Sequence, residues 1–301
     1  MAVRKTLDSD LLYPDMKSRF QLSLSFLLVL LSSWSIGRAD TNLGNLDRVF
    51  GSSGESYPER FQAIKALTNG ELDHRKEDVI RFLQEVDSED SLSDSEHAAV
   101  KNNLIDLVTG DPVYTADLPQ MFLKILRDPE QNKIWKDYVV QKIPRIYEDC
   151  DSNEQQDLLA EIRNFTRERK GVICGTALLA LLRISRIDDQ VNTSQLGKLS
   201  LQIALDEGYE TGSRLTALSV ANGCDASPVR VVARSFLNGS GPIVLKAQAL
   251  SILSEETTPE DMELIESYLD HSDYRLRNAA RSAKKKIESL HSPASSSVVD
   301  F

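Results

Sequence analysis

The chain has 301 residues, a net charge of −11, 41% apolar residues and only 6% aromatic residues. An acidic surface is repelled by nucleic-acid phosphates and by anionic membranes, which argues against both as partners of the chain as a whole. A core carried by Leu and Ala, with few rings, suits thin helical layers and argues against an aromatic-rich β-sandwich.

Lys17 and Arg19 precede the apolar run Leu22–Trp34, and Gly37 and Ala39 supply small residues at the −3 and −1 positions of a cut after Ala39. Basic start, apolar middle and small-x-small site are the pattern of a secretory signal peptide. Residues 1–39 are therefore read as an N-terminal extension and signal, with Met16 as a start that gives a signal of ordinary length. The part left after cleavage carries 30 basic and 43 acidic residues, a net charge of −13. The rival reading is an uncleaved anchor. The uncharged run Phe20–Gly37 is 18 residues long, at the short edge of a bilayer span, and Gln21 and five serines weaken it.

Helical periodicity then dominates from Tyr57 to Leu290. Phe61, Ile64, Ala66 and Leu67 form an apolar face behind Pro58, and Asn69-Gly70 is expected to end that helix. Val79, Phe82, Leu83 and Val86 make the next. Ser93 with Glu96 reads as a capping box before Ala98, Ala99, Leu104 and Ile105, and Ser152 with Gln155 as a second before Leu158 and Ile162. Between them lie helices around Met121–Ile125 and Ile134–Ile143, the latter kinked or ended by Pro144. No strand-like alternation is present.

A helical phrase recurs in the C-terminal half, around Gly175–Ile184, Gly212–Val220, Leu245–Leu253 and Leu276–Ile287. Its central alanines, Ala180, Ala217, Ala249 and Ala280, are 37, 32 and 31 residues apart. Second helices follow at Leu196–Leu205, Pro228–Leu237 and Pro259–Leu269. Ala63, Ala99 and Val140 extend the series towards the N-terminus. A helical unit at such a period is the mark of a stacked repeat.

The stretch Tyr268–Ile287, YLDHSDYRLRNAARSAKKKI, resembles a HEAT repeat. Leu269, Asp273, Leu276, Arg277, Ala279 and Ala280 occupy the places of that pattern, and Arg214 and Lys246 hold the Arg position in two earlier units. The resemblance covers Gly171–Leu290. It implies an interaction scaffold in which the Arg and the turn Asp pair between neighbouring units. A related subgroup of HEAT-like proteins includes bilin lyases, a role that export argues against.

Few residues carry chemistry. His74, His97, His271 and His291 have no second ligand at metal spacing, and His97 and His271 are expected in solvent. Cys150, Cys174 and Cys224 are an odd set without CxxC, read as small core residues or as one disulfide with a thiol left over. The acidic run Asp87, Glu89, Asp90, Asp94 and Glu96 lacks calcium-loop spacing. Arg275, Arg277, Arg281, Lys284, Lys285 and Lys286 form one segregated basic cluster, expected to be the polar outer face of a terminal unit. Sequons stand at Asn164, Asn192 and Asn238.

The expectation is an all-α fold, an α-α superhelix of roughly seven HEAT-like helical pairs over residues 40–290. A flexible Ser-rich tail covers residues 291–301. The expected role is an exported, non-catalytic scaffold that binds a protein partner through its concave face. No catalytic, cofactor or metal residue is nominated, and neither nucleic acid nor, after signal cleavage, membrane is expected as a partner. The alternatives are a membrane-tethered scaffold and an enzyme whose site is assembled in space.

Overall fold

The computed structural model describes residues 44–86 and 92–291. The signal segment 1–39, the acidic residues Asp87, Glu89 and Asp90, and the tail beyond His291 lie outside the described residues. From Gly44 onward the chain forms one contact unit.

Among the described residues the fold is all-helical, with fifteen α-helices, one 3-10 turn and no strand. In chain order the first eight are α1 (Asn45–Val49), α2 (Tyr57–Ala66), α3 (Asn69–His74), α4 (Lys76–Gln84), α5 (Asp94–Val108), α6 (Leu118–Arg127), α7 (Lys133–Ile146) and α8 (Ser152–Phe165). Then come α9 (Ile173–Ile184), α10 (Thr193–Leu205), α11 (Thr211–Cys224), α12 (Ala226–Asn238), α13 (Ile243–Leu253), α14 (Pro259–Glu266) and α15 (Tyr274–His291).

Local chemistry explains most of the boundaries. The Ser93–Glu96 capping box opens α5 as expected, whereas the box before α8 is one residue earlier than read, at Asp151 and Glu154. Asn69-Gly70 does not end a helix. Thr68 and Glu71 form a further capping box, and Asn69 begins α3. Pro144 lies inside α7, which runs only to Ile146 before tightening into the 3-10 turn Tyr147–Asp149.

The helices α2, α5, α7, α9, α11, α13 and α15 form a first row in which each packs on its neighbours in the series. The helices α4, α6 and α8 pack on one another as a second row beside it, and α10, α12 and α14 each pack on first-row helices. Ala180, Ala217, Ala249 and Ala280 are all buried in first-row helices, so the inward face drawn from sequence holds there. It slips in α5: Ala98 and Val100 are buried, while Ala99 is only half-buried. Small residues let first-row helices approach closely. A Cβ on Gly175 of α9 would lie 2.9 Å from Cβ of Thr216 on α11.

Side chains from later in the chain satisfy the free carbonyls at helix C-termini, which have no partner within their own helix. The Tyr114 hydroxyl donates to Leu72 O at 2.8 Å, and Trp135 Nε1 donates to Leu83 O at 3.0 Å. Lys101 Nζ donates to Glu85 O. Tyr209 reaches Thr166 O at 3.3 Å, and Tyr268 reaches Leu237 O. Burial raises all three tyrosine hydroxyls, Tyr114 to about 12, so they remain neutral donors.

Two of the cation positions of the resemblance do the same work. Arg214 Nε donates to Ala204 O at 3.0 Å, and Arg277 Nη1 to His271 O at 2.6 Å. Lys246 Nζ lies 3.5 Å from Leu237 O. Arg214 and Lys246 contact the end of the preceding helix, where a cation also meets the negative pole of the helix dipole, whereas Arg277 holds the loop before its own helix, at His271 O and Ser272 O. The implied Arg–Asp pairing between units is therefore not made by these residues, and Asp273 instead pairs with Arg275 in its own turn at 2.9 Å. An Arg–Asp pairing between helices does exist elsewhere. Arg230 and Arg234 of α12 both bind Asp261 of α14, which is fully buried.

Candidate protein-binding site

A cleft opens beside the C-terminal end of α8 and the N-terminal part of α10. Asp151 and Glu154 start α8, which ends in the turn at Thr166. Arg163 in its last turn and Arg167 just beyond it are one helical turn apart, on the same side of the element. Asn192 caps α10, its Oδ1 accepting from Gln195 N at 2.9 Å. Between these two ends lies a half-open cleft of ≈ 300 Å³.

Its apolar wall is made by Leu181 of α9, Val191, and Leu196 and Leu199 of α10; its polar rim carries Arg163, Arg167, Gln190, Asn192, Gln195 and Tyr209. Arg163 Nη2 donates to Gln190 O at 3.2 Å, which holds that guanidinium across the cleft mouth. Tyr209 is fixed by its hydrogen bond to Thr166 O, and Arg169 lies 5.2 Å over its ring. Asp206 anchors Arg169 at 3.1 Å, outside the cleft lining. No carboxylate lines the cleft. Arg167 has no ion-pair partner among the described residues, and it is exposed.

On the first-row face, Asp137 of α7 is a half-buried carboxylate. Burial raises its pKa against the opposing hydrogen bonds from Thr176 and Gln141, and its Oδ1 has no hydrogen-bond partner. Its bonded partners are neutral groups.

The residues singled out from sequence are scattered. His97 is not solvated: it is 4% exposed and meets the Phe82 ring edge-on at 5.6 Å. The apolar face of α5 begins in its first turn, one residue before Ala98, and takes the imidazole inward. His271 is half-buried, stacked on Tyr268, and its Nδ1 accepts from Asp273 N at 3.0 Å. Among the described residues no group of three or more His, Cys, Asp or Glu is placed to hold a metal. Of the acidic run, Glu96 is committed to its capping box and Asp94 is exposed.

Three of the six cations of the basic cluster are paired with neighbouring carboxylates. Lys284 pairs with Glu266 at 2.7 Å, Lys286 with Glu255 at 3.6 Å, and Arg275 with Asp273. Lys285 is exposed as expected, whereas Lys284 is half-buried against that carboxylate. Of the sequon residues, Asn164, Asn192 and Asn238 are exposed, but Asn192 serves as a cap and Thr166 is buried.

All three cysteines are free, so no disulfide forms between them. Burial, with the nearby carboxylates Glu154, Asp149 and Asp151 adding to it, pushes the Cys150 thiol up to about 12. Burial alone pushes Cys174 up to about 11. The thiolate is the reactive form, so both thiols are suppressed near neutral pH. Titration with a thiol reagent at pH 8 is expected to leave Cys150 and Cys174 unmodified in the native chain and to modify all three in denaturant. Rapid native labelling of Cys174 would show that its helix end opens easily.

A scan of the chain against protein-family models finds no match, and a search of curated proteins finds none either.

Proposed function

We propose that the chain is an exported, non-catalytic scaffold that binds another protein through the concave face of a HEAT-like stack of helical pairs. The observation that supports this reading is the unbroken first row from α2 to α15, in which each helix packs on its neighbours in the series. A small rotation at each step curves such a stack and creates an extended inner surface. In this reading the more closely packed first row lines the inside of the curve and carries the partner surface.

The mature chain, immobilised and incubated with the extracytoplasmic fraction of its source, is expected to retain one protein in stoichiometric amount. Failure to retain any partner from that fraction overturns the reading. Export itself has a separate check. N-terminal sequencing of the membrane-free protein is expected to begin at Asp40, and a sequence beginning at Met1 or Met16 would remove the signal assignment. No helix among the described residues is long and apolar enough to cross a membrane.

A further inference from the structure

We infer that the cleft between α8 and α10 binds an acidic peptide segment, one that places a carboxylate against Arg163 and Arg167 and an aliphatic side chain against Leu196 and Leu199. The inference takes its class of ligand, a protein segment, from the scaffold reading, and it adds a contact away from the first-row face.

Three observations carry it. The chain is strongly acidic, yet this cleft is lined by two guanidinium groups and no carboxylate. Two arginines close together repel each other, and no carboxylate in the cleft neutralises them. The dipole of α8 accounts for cations at its C-terminus but not for the aliphatic wall beneath them. Next, part of the rim is held in place, at Arg163 and Tyr209, while Arg167 stands exposed beside them. Gln190 O holds Arg163, and Thr166 O and Arg169 hold Tyr209 from two sides. Arg163 and Tyr209, held in this way, lose little side-chain freedom when a ligand enters. Finally, the cleft is of a size for one or two side chains and is open on one side, which suits a segment lying across it. A carboxylate accepts the fork of a guanidinium in a way that a neutral amide does not, because the bond is charge-assisted.

The test uses the full chain and a fluorescein-labelled hexapeptide of alternating Leu and Glu, read by fluorescence polarisation. The peptide of alternating Leu and Gln is the neutral counterpart. The acidic peptide is expected to bind at least about tenfold more tightly than the neutral one, and added salt should weaken it. Arg167→Gln, at an exposed residue with no ion-pair partner to lose, should lower affinity about tenfold and flatten the salt dependence. Leu199→Asp should abolish binding, with unchanged circular dichroism showing that the fold is kept. Arg281→Gln, at an exposed cation on α15, should change nothing.

Equal binding of the two peptides overturns the inference. So does an effect of Arg281→Gln as large as that of Arg167→Gln, which would mean general attraction to a cation. Competition by free glutamate as effective as by the unlabelled peptide also overturns it, because the site would then take a small carboxylate. A chain that captures an extracytoplasmic partner but ignores the acidic peptide refutes the cleft and leaves the scaffold reading standing. A chain that binds the peptide through Arg167 but captures no partner supports the cleft and removes the first-row assignment.

Discussion

Asp261→Ala is expected to destabilise the chain by about 3 kcal/mol, near the lower end of what breaking a buried ion pair costs. Asp261 is fully buried, and two guanidinium groups converge on it. Its carboxylate also accepts from Thr258 Oγ1 at 3.0 Å, closing the capping box of α14. Removing it leaves Arg230, itself buried, as a charge without a counter-ion, while Arg234 retains some access to water. For a domain of this size the loss corresponds to a melting midpoint about 6–12 °C lower. Burial pushes the Asp261 carboxyl up, but the bonds from Arg234 and Thr258 and the charge of Arg230 more than reverse this, and the net pKa is lowered. A depressed folded pKa gives stability that is present above the unfolded value. That stability is lost as pH falls through the folded value, here below about pH 4. Thermal melts of wild type and Asp261→Ala between pH 7 and pH 3 should therefore converge on the acid side. Equal midpoints at pH 7 would show that the pair is not formed. Replacing the whole cluster by apolar residues of similar volume should recover part of the loss, since it is the orphaned charge that costs most.

Ala217→Asp and Ala249→Asp are expected to cost more, about 4 kcal/mol or outright loss of folding. Both alanines are fully buried in first-row helices, where a carboxylate would be taken out of water. Ala99→Asp is the internal control, because Ala99 is half-buried and one residue out of the buried register. Its effect should be well under half of theirs. His97→Ala, which the sequence placed in solvent, should cost about 2 kcal/mol through the space left beside Phe82. Chemical denaturation of the four variants checks the register. An unchanged midpoint for Ala249→Asp would mean that α13 faces the other way.

The all-helical class was legible because apolar spacing, capping boxes and Ala-rich phrases all point the same way in this chain. Helix ends were harder. Asp151 and Ser152 both suit an N-cap, and only the backbone geometry selects Asp151. Asn69-Gly70 resembles a stop, but Thr68 with Glu71 makes the same residues a start. The side chains that satisfy helix ends were invisible for another reason. Trp135 and Tyr268 meet carbonyls 52 and 31 residues away, a separation that local patterning does not encode. The cleft was hidden likewise. Arg163 and Arg167 look like ordinary surface cations until the fold sets Leu181, Leu196 and Leu199 beside them.

The tyrosine and tryptophan contacts to earlier helix ends give the fold a direction in time. On a ribosome the N-terminal helices emerge first, and their last carbonyls stay hydrated until the next pair has been made. Tyr209 cannot lock the end of α8 until about forty further residues have left the exit, and Tyr268 locks α12 later still. Each pair is thus held provisionally by the hydrophobic contact of its own helices and is fastened by its successor. A nascent chain stalled partway would have its newest pair loose and its older pairs secured, so that protease sensitivity during synthesis would move along the chain about one pair behind the point of extrusion.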